Sequence, residues 1–394
     1  MKYIILLGDG MADELVNELG NKTPLEVAVT PNMDYLAQQG ISGMVRTVPL
    51  GCKPGSDVAN LSILGYDVKT SYTGRAPLEA ASAGIELGPD DVAYRCNLVT
   101  MDNDIMEDYS AGHISTEEAT ELIESLNEQL GTSSIHFYTG ISYRHLLVIN
   151  HGPTDIETTA PHDLTGEVAT GDGPEGPGSE ILVELMEKSA KIFHDHPVNK
   201  KRIQEGKKPA TIIWLWGQGK NLRLENFSNK YGKTGAIITA VDLLKGIGKL
   251  IGFDTPEVPG ATGYLDTNYE QKVAYAAKEL ESKDLVYVHI EAPDEAGHQG
   301  TVNLKIKAIE DFDKHVVGPM IEIAKQYSNF KILLLPDHGT PVKTKTHSPH
   351  PVPFTIYSSE ATQSDAIKAF NEIEIVRSTL KIENPEELMD LLFS

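Results

Sequence analysis

Five acidic and imidazole side chains crowd into the last hundred residues, each beside an apolar run. Asp294 and His298 stand four apart just after Val286–Ile290, and Asp337 and His338 follow Lys331–Leu335 directly. His347 sits in a Pro-studded loop ahead of the strand-like Val352–Tyr357. Carboxylate oxygen mixed with imidazole nitrogen suits Mn²⁺ or Zn²⁺ better than Ca²⁺. Five such ligands exceed what one four-coordinate site with an open position can use, so they predict two divalent cations with further ligands from elsewhere. Asp9 supplies one, in the Gly8-Asp9-Gly10 turn that ends the apolar run Tyr3–Leu7. Ser56 supplies a hydroxyl. It follows the Lys53-Pro54-Gly55 turn and opens the apolar-periodic stretch Val58–Leu64. Serine is a common helix N-cap, but a helix start also favours an approaching phosphate. With no base motif beside it and no G-x-S-x-G, a cation is the available activator of that hydroxyl. The set Asp9, Ser56, Asp294, His298, Asp337, His338 and His347 therefore predicts two-cation phosphoryl transfer.

The elements that must position these groups read as an α/β fold. Buried-strand runs alternate with helical stretches at both ends of the chain, and open sheets of this kind hold their sites at strand carboxyl ends. A third Gly after Gly8-Asp9-Gly10 is missing and Asp9 would repel a pyrophosphate, so a dinucleotide fingerprint is rejected. From about Ser71 the rhythm changes. The middle reads as loops and short strands, with a capped helix at Ser115–Leu130, a hairpin at Ile135–Tyr138 and Arg144–Asn150, and a long Pro/Gly-rich loop at Asp155–Gly178. Loops of that length are usually functional or disordered, which makes His162 and Asp163 candidate substrate contacts. Asn199–Lys208 reads as a basic exposed linker. The expected organisation is an α/β domain from 1–71 and 209–394, carrying 72–208 as an inserted α+β domain.

The chain has 394 residues and a net charge of −23 with His neutral. That sign argues against nucleic acid and anionic membrane as partners. It leaves room for a small phosphorylated substrate, because cations and a local Arg/Lys cluster reverse the potential inside a pocket. Two cysteines, Cys52 and Cys96, are too few for a disulfide framework. The first apolar run is too short for a signal peptide and no stretch is long enough to cross a bilayer, so a cytoplasmic location is expected. Nothing in the sequence speaks to oligomeric state.

In combination, GDGMAD, KPGSDVANLSILGY, TGRAPLEA, PHDLTG, PGATGYLDT, EAPDEAGH, LPDHGT and THSPHPVPF resemble the archaeal-type cofactor-independent phosphoglycerate mutases of the alkaline-phosphatase-like superfamily. The resemblance covers essentially the whole chain. It implies a mixed, mostly parallel sheet flanked by helices, and conversion of 3-phosphoglycerate to 2-phosphoglycerate through a phosphoserine at Ser56, without bisphosphoglycerate. It implies one cation on Asp9, Ser56, Asp337 and His338 and a second on Asp294, His298 and His347, Mn²⁺ before Zn²⁺ or Mg²⁺. Lys233 resembles the lysine near the leaving oxygen, and Arg75, Arg95, Asn97, Asp108 and Arg144 resemble the glycerate contacts of the insert. One departure stands out. Where such mutases carry an arginine-rich run after the aspartate, this chain reads Asp108-Tyr109-Ser110-Ala111-Gly112-His113. Arg is the natural bidentate partner of carboxylate and phosphate. The stretches at Ile213–Lys220 and His196–Asn199 also resemble a subgroup proposed to phosphorylate homoserine. A phosphotransferase acting on a small hydroxy amino acid is therefore the alternative.

Overall fold

The computed structural model describes residues 1–169, 171–360 and 366–394. The chain divides into two compact units, Met1–Tyr72 with Leu224–Ser394, and Thr73–Arg223. Its strands in chain order are β1 Lys2–Gly8, β2 Ile41–Val45, β3 Asp91–Asp102, β4 Ile105–Asp108, β5 Ile135–Ile141, β6 Arg144–Asn150, β7 Ile212–Lys220, β8 Gly235–Ile238, β9 Leu285–Ile290, β10 Phe330–Leu335, β11 Val352–Ser358 and β12 Lys381–Ile382.

The first unit is an α/β fold around a seven-stranded sheet in the order β12-β2-β11-β10-β1-β9-β8. Strand β1 lies inside the sheet, parallel to β10 on one side and β9 on the other, and β8 runs parallel to β9. Only β11 runs against its neighbours β10 and β2. The central strands are near-continuous apolar runs because helices cover both faces of a largely parallel sheet. Ile4, Leu6, Val286, Val288, Ile332 and Leu334 are fully buried in one core with Met33, Leu36, Ala276, Leu280 and Phe312 from flanking helices. At about 1.5–3 kcal/mol for each large side chain buried, this core can carry a polar, charge-rich edge above it.

That edge follows from strand direction. The chain leaves β1, β9 and β10 at their carboxyl ends, into Asp9, Glu291–Asp294 and Asp337. It enters the reversed strand β11 from the same edge, so His347 arrives there too. The connection after β2 brings Ser56 to the first residue of the Ser56–Ile63 helix, with Gly55 ahead of it.

The second unit is built on an antiparallel sheet, β4-β3-β6-β5, with β7 on the other side of β3. The Thr116–Leu130 and Glu180–His194 helices bury Leu122, Leu126, Leu182 and Phe193 against one face. Ser115 caps the first of them, its hydroxyl accepting from the Glu118 amide. Two features differ from the sequence expectation. The stretch read as an exposed linker at Asn199–Lys208 lies largely in the Pro197–Gln204 helix, whose first residue is a proline and whose Arg202 is buried. Arg202 donates to Glu118, to the Ala111 carbonyl at 2.7 Å and to the Lys208 carbonyl at 2.9 Å. Strand β7 then pairs along β3, so this unit runs on to Arg223 rather than ending at 208. No described helix is long and apolar enough to cross a membrane.

Candidate functional site

At the carboxyl edge of the first sheet, Ser56 Oγ lies 3.1 Å from His338 Nε2 and 3.4 Å from Asp9 Oδ2. His338 Nε2 is 3.5 Å from Asp9 Oδ1 and 3.5 Å from Asp337 Oδ2. Asp294 Oδ2 lies 3.1 Å from His298 Nε2, and its Oδ1 lies 3.6 Å from His347 Nε2. Among the described residues three groups have ligand atoms all within 4.8 Å of one another: Asp294–His298–His347, Asp9–Asp294–His338 and Asp9–His289–Asp337. All seven residues singled out as ligands or nucleophile therefore converge, from segments up to 338 positions apart.

The local chain explains how so many polar groups approach. Gly10 has φ of +58°, and a Cβ there would collide with the Asp294 carboxylate and the Thr340 hydroxyl. The Gly8-Asp9-Gly10 turn thus admits only glycine at its end. Asp294 sits in the first turn of the Ala292–Gln299 helix, and His298 one turn later on the same face. His298 Nδ1 donates to the Lys345 carbonyl at 3.0 Å, which turns Nε2 toward the cluster, 3.0 Å from His347 Nε2.

The electrostatics fit a cation. Asp9 is fully buried, and burial together with repulsion from Asp337, Glu291 and Asp294 pushes its carboxyl well above the ordinary range. Its Oδ2 is engaged by His289 at 2.8 Å, but Oδ1 is buried with no hydrogen-bond partner. Burial raises Asp294 as well, but hydrogen bonds from His298 and His347 outweigh it and hold this carboxyl well below its usual value. The same hydrogen bond lifts His298 to about 9. His338 is lowered by burial. An orphaned carboxylate oxygen, two imidazole nitrogens face to face and an excess of negative charge make a donor set that divalent cations satisfy.

Several residues that hold this edge escaped the sequence reading. His289 in β9 is fully buried and driven to about 3 by burial, so it donates to Asp9 as a neutral ring. Glu291 is raised to about 8 by burial and by Asp294. Thr340 Oγ1 hydrogen-bonds Asp294. Lys305 is fully buried and donates to Asp13 Oδ2 at 2.8 Å, the Thr340 carbonyl at 2.7 Å and the Ala12 carbonyl at 3.2 Å. A histidine inside an otherwise apolar buried strand was a usable signal, because such a group needs a partner.

Lys233 is a correction. It precedes β8, a strand parallel to β9, and so lies at the amino edge of the sheet, opposite Ser56. Its ammonium sits 5.0 Å from the Tyr3 ring and 5.1 Å from the Phe393 ring. It is not brought to the serine.

The remaining candidates belong to the second unit. Arg95 lies 4.0 Å from the Trp216 ring and bonds Glu79 at 3.0 Å. Burial lowers its pKa, Glu79 opposes this, and Arg75 and Arg144 lower it further, so the three guanidiniums are neighbours. Asn97 Oδ1 accepts from Trp216 Nε1 at 3.2 Å, and the His162 ring packs 5.5 Å from Trp216. Asp163 is 3.7 Å from His162 and mostly exposed. Asp108 is different: its Oδ1 accepts from the Ser110 amide at 2.8 Å and the Ser110 hydroxyl at 2.6 Å, and Lys208 is 3.4 Å from Oδ2. Burial raises this carboxyl, but those bonds and one from Gly112 bring it below its ordinary value. Its acceptor capacity is taken up by its own loop. The residues beside it, Tyr109 and His113, pack their rings edge-on to Tyr143.

Comparison with known proteins follows the same lines. A family model described as 2,3-bisphosphoglycerate-independent phosphoglycerate mutase matches residues 37–199. A protein of that name from Methanosarcina mazei is 52% identical over 100% of this chain and 99% of its own length. This chain belongs to that family. A probable mutase of the same name from Geobacter sulfurreducens is 50% identical, again covering 100% of this chain and 99% of its own. Solved structures share the architecture. The cofactor-independent phosphoglycerate mutase from Thermoplasma acidophilum superposes with a TM-score of 0.67 at 28% identity, covering 100% of this chain and 99% of that one. The PH0037 protein from Pyrococcus horikoshii gives 0.83 at 29% identity, over 99% and 96%. The expected fold class, a mostly parallel sheet flanked by helices, is borne out.

Proposed function

We propose that this protein interconverts 3-phosphoglycerate and 2-phosphoglycerate without bisphosphoglycerate, through a phosphoryl group carried on Ser56. The observation that carries the reading is the meeting of the Ser56 hydroxyl with His338 and Asp9 at a helix start. Asp9, Ser56, Asp337 and His338 would hold one divalent cation, and Asp294, His298 and His347 the other. The mixed oxygen and nitrogen donors favour Mn²⁺ over Zn²⁺ or Mg²⁺. When bound, such cations lower the pKa of a serine hydroxyl and offset charge on the phosphoryl oxygens.

The chain's own groups do the rest. Ser56 Oγ attacks phosphorus, forming the serine O–P bond as the bond from phosphorus to the 3-oxygen breaks. The free amides at the start of the Ser56–Ile63 helix favour the incoming phosphate. Arg75, Arg95 and Arg144 supply cations suited to a glycerate carboxylate, with Asn97 and His162 beside them. The 2-hydroxyl then attacks the phosphoserine and restores Ser56.

The non-cationic run at Tyr109–His113 favours a second reading, transfer to a small hydroxy amino acid from a nucleoside triphosphate. Stripped protein reloaded with Mn²⁺ is incubated with 3-phosphoglycerate and followed by phosphorus NMR. Appearance of 2-phosphoglycerate supports the mutase. No conversion with any divalent cation, together with phosphohomoserine formed from ATP and homoserine, overturns it in favour of the second reading.

A further inference from the structure

We propose that Asn60 is a positioning residue: it restricts Asp337 to a single cation-facing oxygen and ties the Ser56 turn to that carboxylate. The inference rests on reading Asp9, Ser56, Asp337 and His338 as a cation site.

Asn60 lies one turn after Ser56 and is fully buried. Asparagine inside a helix is unfavourable unless its side chain is engaged. Here both amide protons and one lone pair of the amide oxygen are used. Nδ2 donates to the Ser56 carbonyl at 2.8 Å and to Asp337 Oδ2 at 2.9 Å. Oδ1 accepts from the hydroxyl of Tyr287, a fully buried residue of β9, at 2.5 Å. The orientation is fixed by these partners. A flipped amide would turn its oxygen onto a carbonyl and a carboxylate, two acceptors.

The consequence falls on Asp337. Its Oδ1 accepts from the Gly10 amide at 3.1 Å and the His338 amide at 2.9 Å. With Asn60 on Oδ2, three of about four lone-pair positions of the carboxylate are taken. The fourth is on Oδ2, the oxygen 3.5 Å from His338 Nε2. Asp337 is thereby limited to one-oxygen coordination. The same planar amide spans from the helix that carries the nucleophile to the loop that carries the ligand, so it sets the separation between them. Tyr287 in turn sets the amide.

The test uses the full chain stripped of metal, titrated with Mn²⁺ and followed by electron paramagnetic resonance of free Mn²⁺, alongside turnover of 3-phosphoglycerate. The parent is expected to bind two cations. Asn60→Ala should keep one at parental affinity and weaken the other about 10- to 100-fold, as loss of a group orienting a metal ligand does, with kcat reduced and KM unchanged. Tyr287→Phe should give the same split at smaller amplitude, which keeps the proposal testable if Asn60→Ala folds poorly. Asn199→Ala is the control. Asn199 is another buried amide with three hydrogen bonds, to Phe193 and Ala210, and should leave both affinities parental. Parental binding at both sites in Asn60→Ala, or equal weakening of both, overturns the inference while leaving the two-cation reading intact. A parent chain that binds no cation overturns that reading and this inference with it.

Discussion

Replacing Lys305 by Met tests whether the polar edge is held by a buried cation beneath it. Lys305 is fully buried and its ammonium has three partners: the Asp13 carboxylate and the carbonyls of Ala12 and Thr340. Ala12 and Asp13 follow Asp9; Thr340 follows Asp337 and His338. One side chain therefore joins the two loops that present Asp9, Asp337 and His338. Met matches the stem but leaves Asp13, whose side chain is 1% exposed, without its counter-ion. Breaking a buried pair from one side costs about 3–5 kcal/mol. At roughly 2–4 °C of Tm per kcal/mol for a unit of this size, Lys305→Met should melt about 10 °C below the parent in chelator. Adding Asp13→Asn removes the stranded charge and should recover part of the loss, a coupling of about 1–3 kcal/mol. Differential scanning calorimetry of the parent, both single variants and the double variant measures it. A Lys305→Met Tm within 2 °C or so of the parent, or strictly additive losses, would refute the reasoning.

The pH dependence of cation binding carries a sign. His298 rises from an ordinary 6.5 to about 9 through its bond to Asp294, so it contributes stability to the cation-free protein that is complete below pH 6.5 and lost as pH rises through about 9. A cation must displace that proton, and Mn²⁺ affinity at Asp294–His298–His347 should increase from pH 6 to 9, measured by calorimetric titration; a flat profile would contradict the assignment. Lys233→Met should leave kcat and KM parental and lower stability by about 0.5–1 kcal/mol, the worth of an exposed cation–π contact; a large fall in kcat would return Lys233 to the chemistry.

How much of this was legible in the sequence depended on the kind of residue. Asp9, Asp294, Asp337 and His347 stand where apolar strands stop or start, and strand ends are visible as breaks in hydrophobicity. Their convergence followed from the edge rule for parallel sheets. Lys233 was misassigned by resemblance, although its place before an apolar strand already put it at the wrong edge. Asn60, Tyr287, Lys305 and Thr340 were missed because each sits inside an ordinary helix, strand or turn pattern; their importance lies in long-range hydrogen bonds, such as Asn60 to Asp337, that no spacing encodes. The linker reading at Asn199–Lys208 failed for a related reason. Its lysines are exposed, but Arg202 points inward to Glu118 and Ala111, and composition does not separate the two faces of a short helix.

The most direct test of the central claim is to find the phosphoryl group. Mn²⁺-loaded protein mixed with 3-phosphoglycerate, quenched in acid within the first turnovers and digested, should yield the peptide containing Ser56 phosphorylated at that residue. Ser56→Ala should carry no phosphate and lose at least about 10³-fold in turnover. Turnover at the parental rate in Ser56→Ala, or a phosphoryl group found on another side chain, would contradict the account.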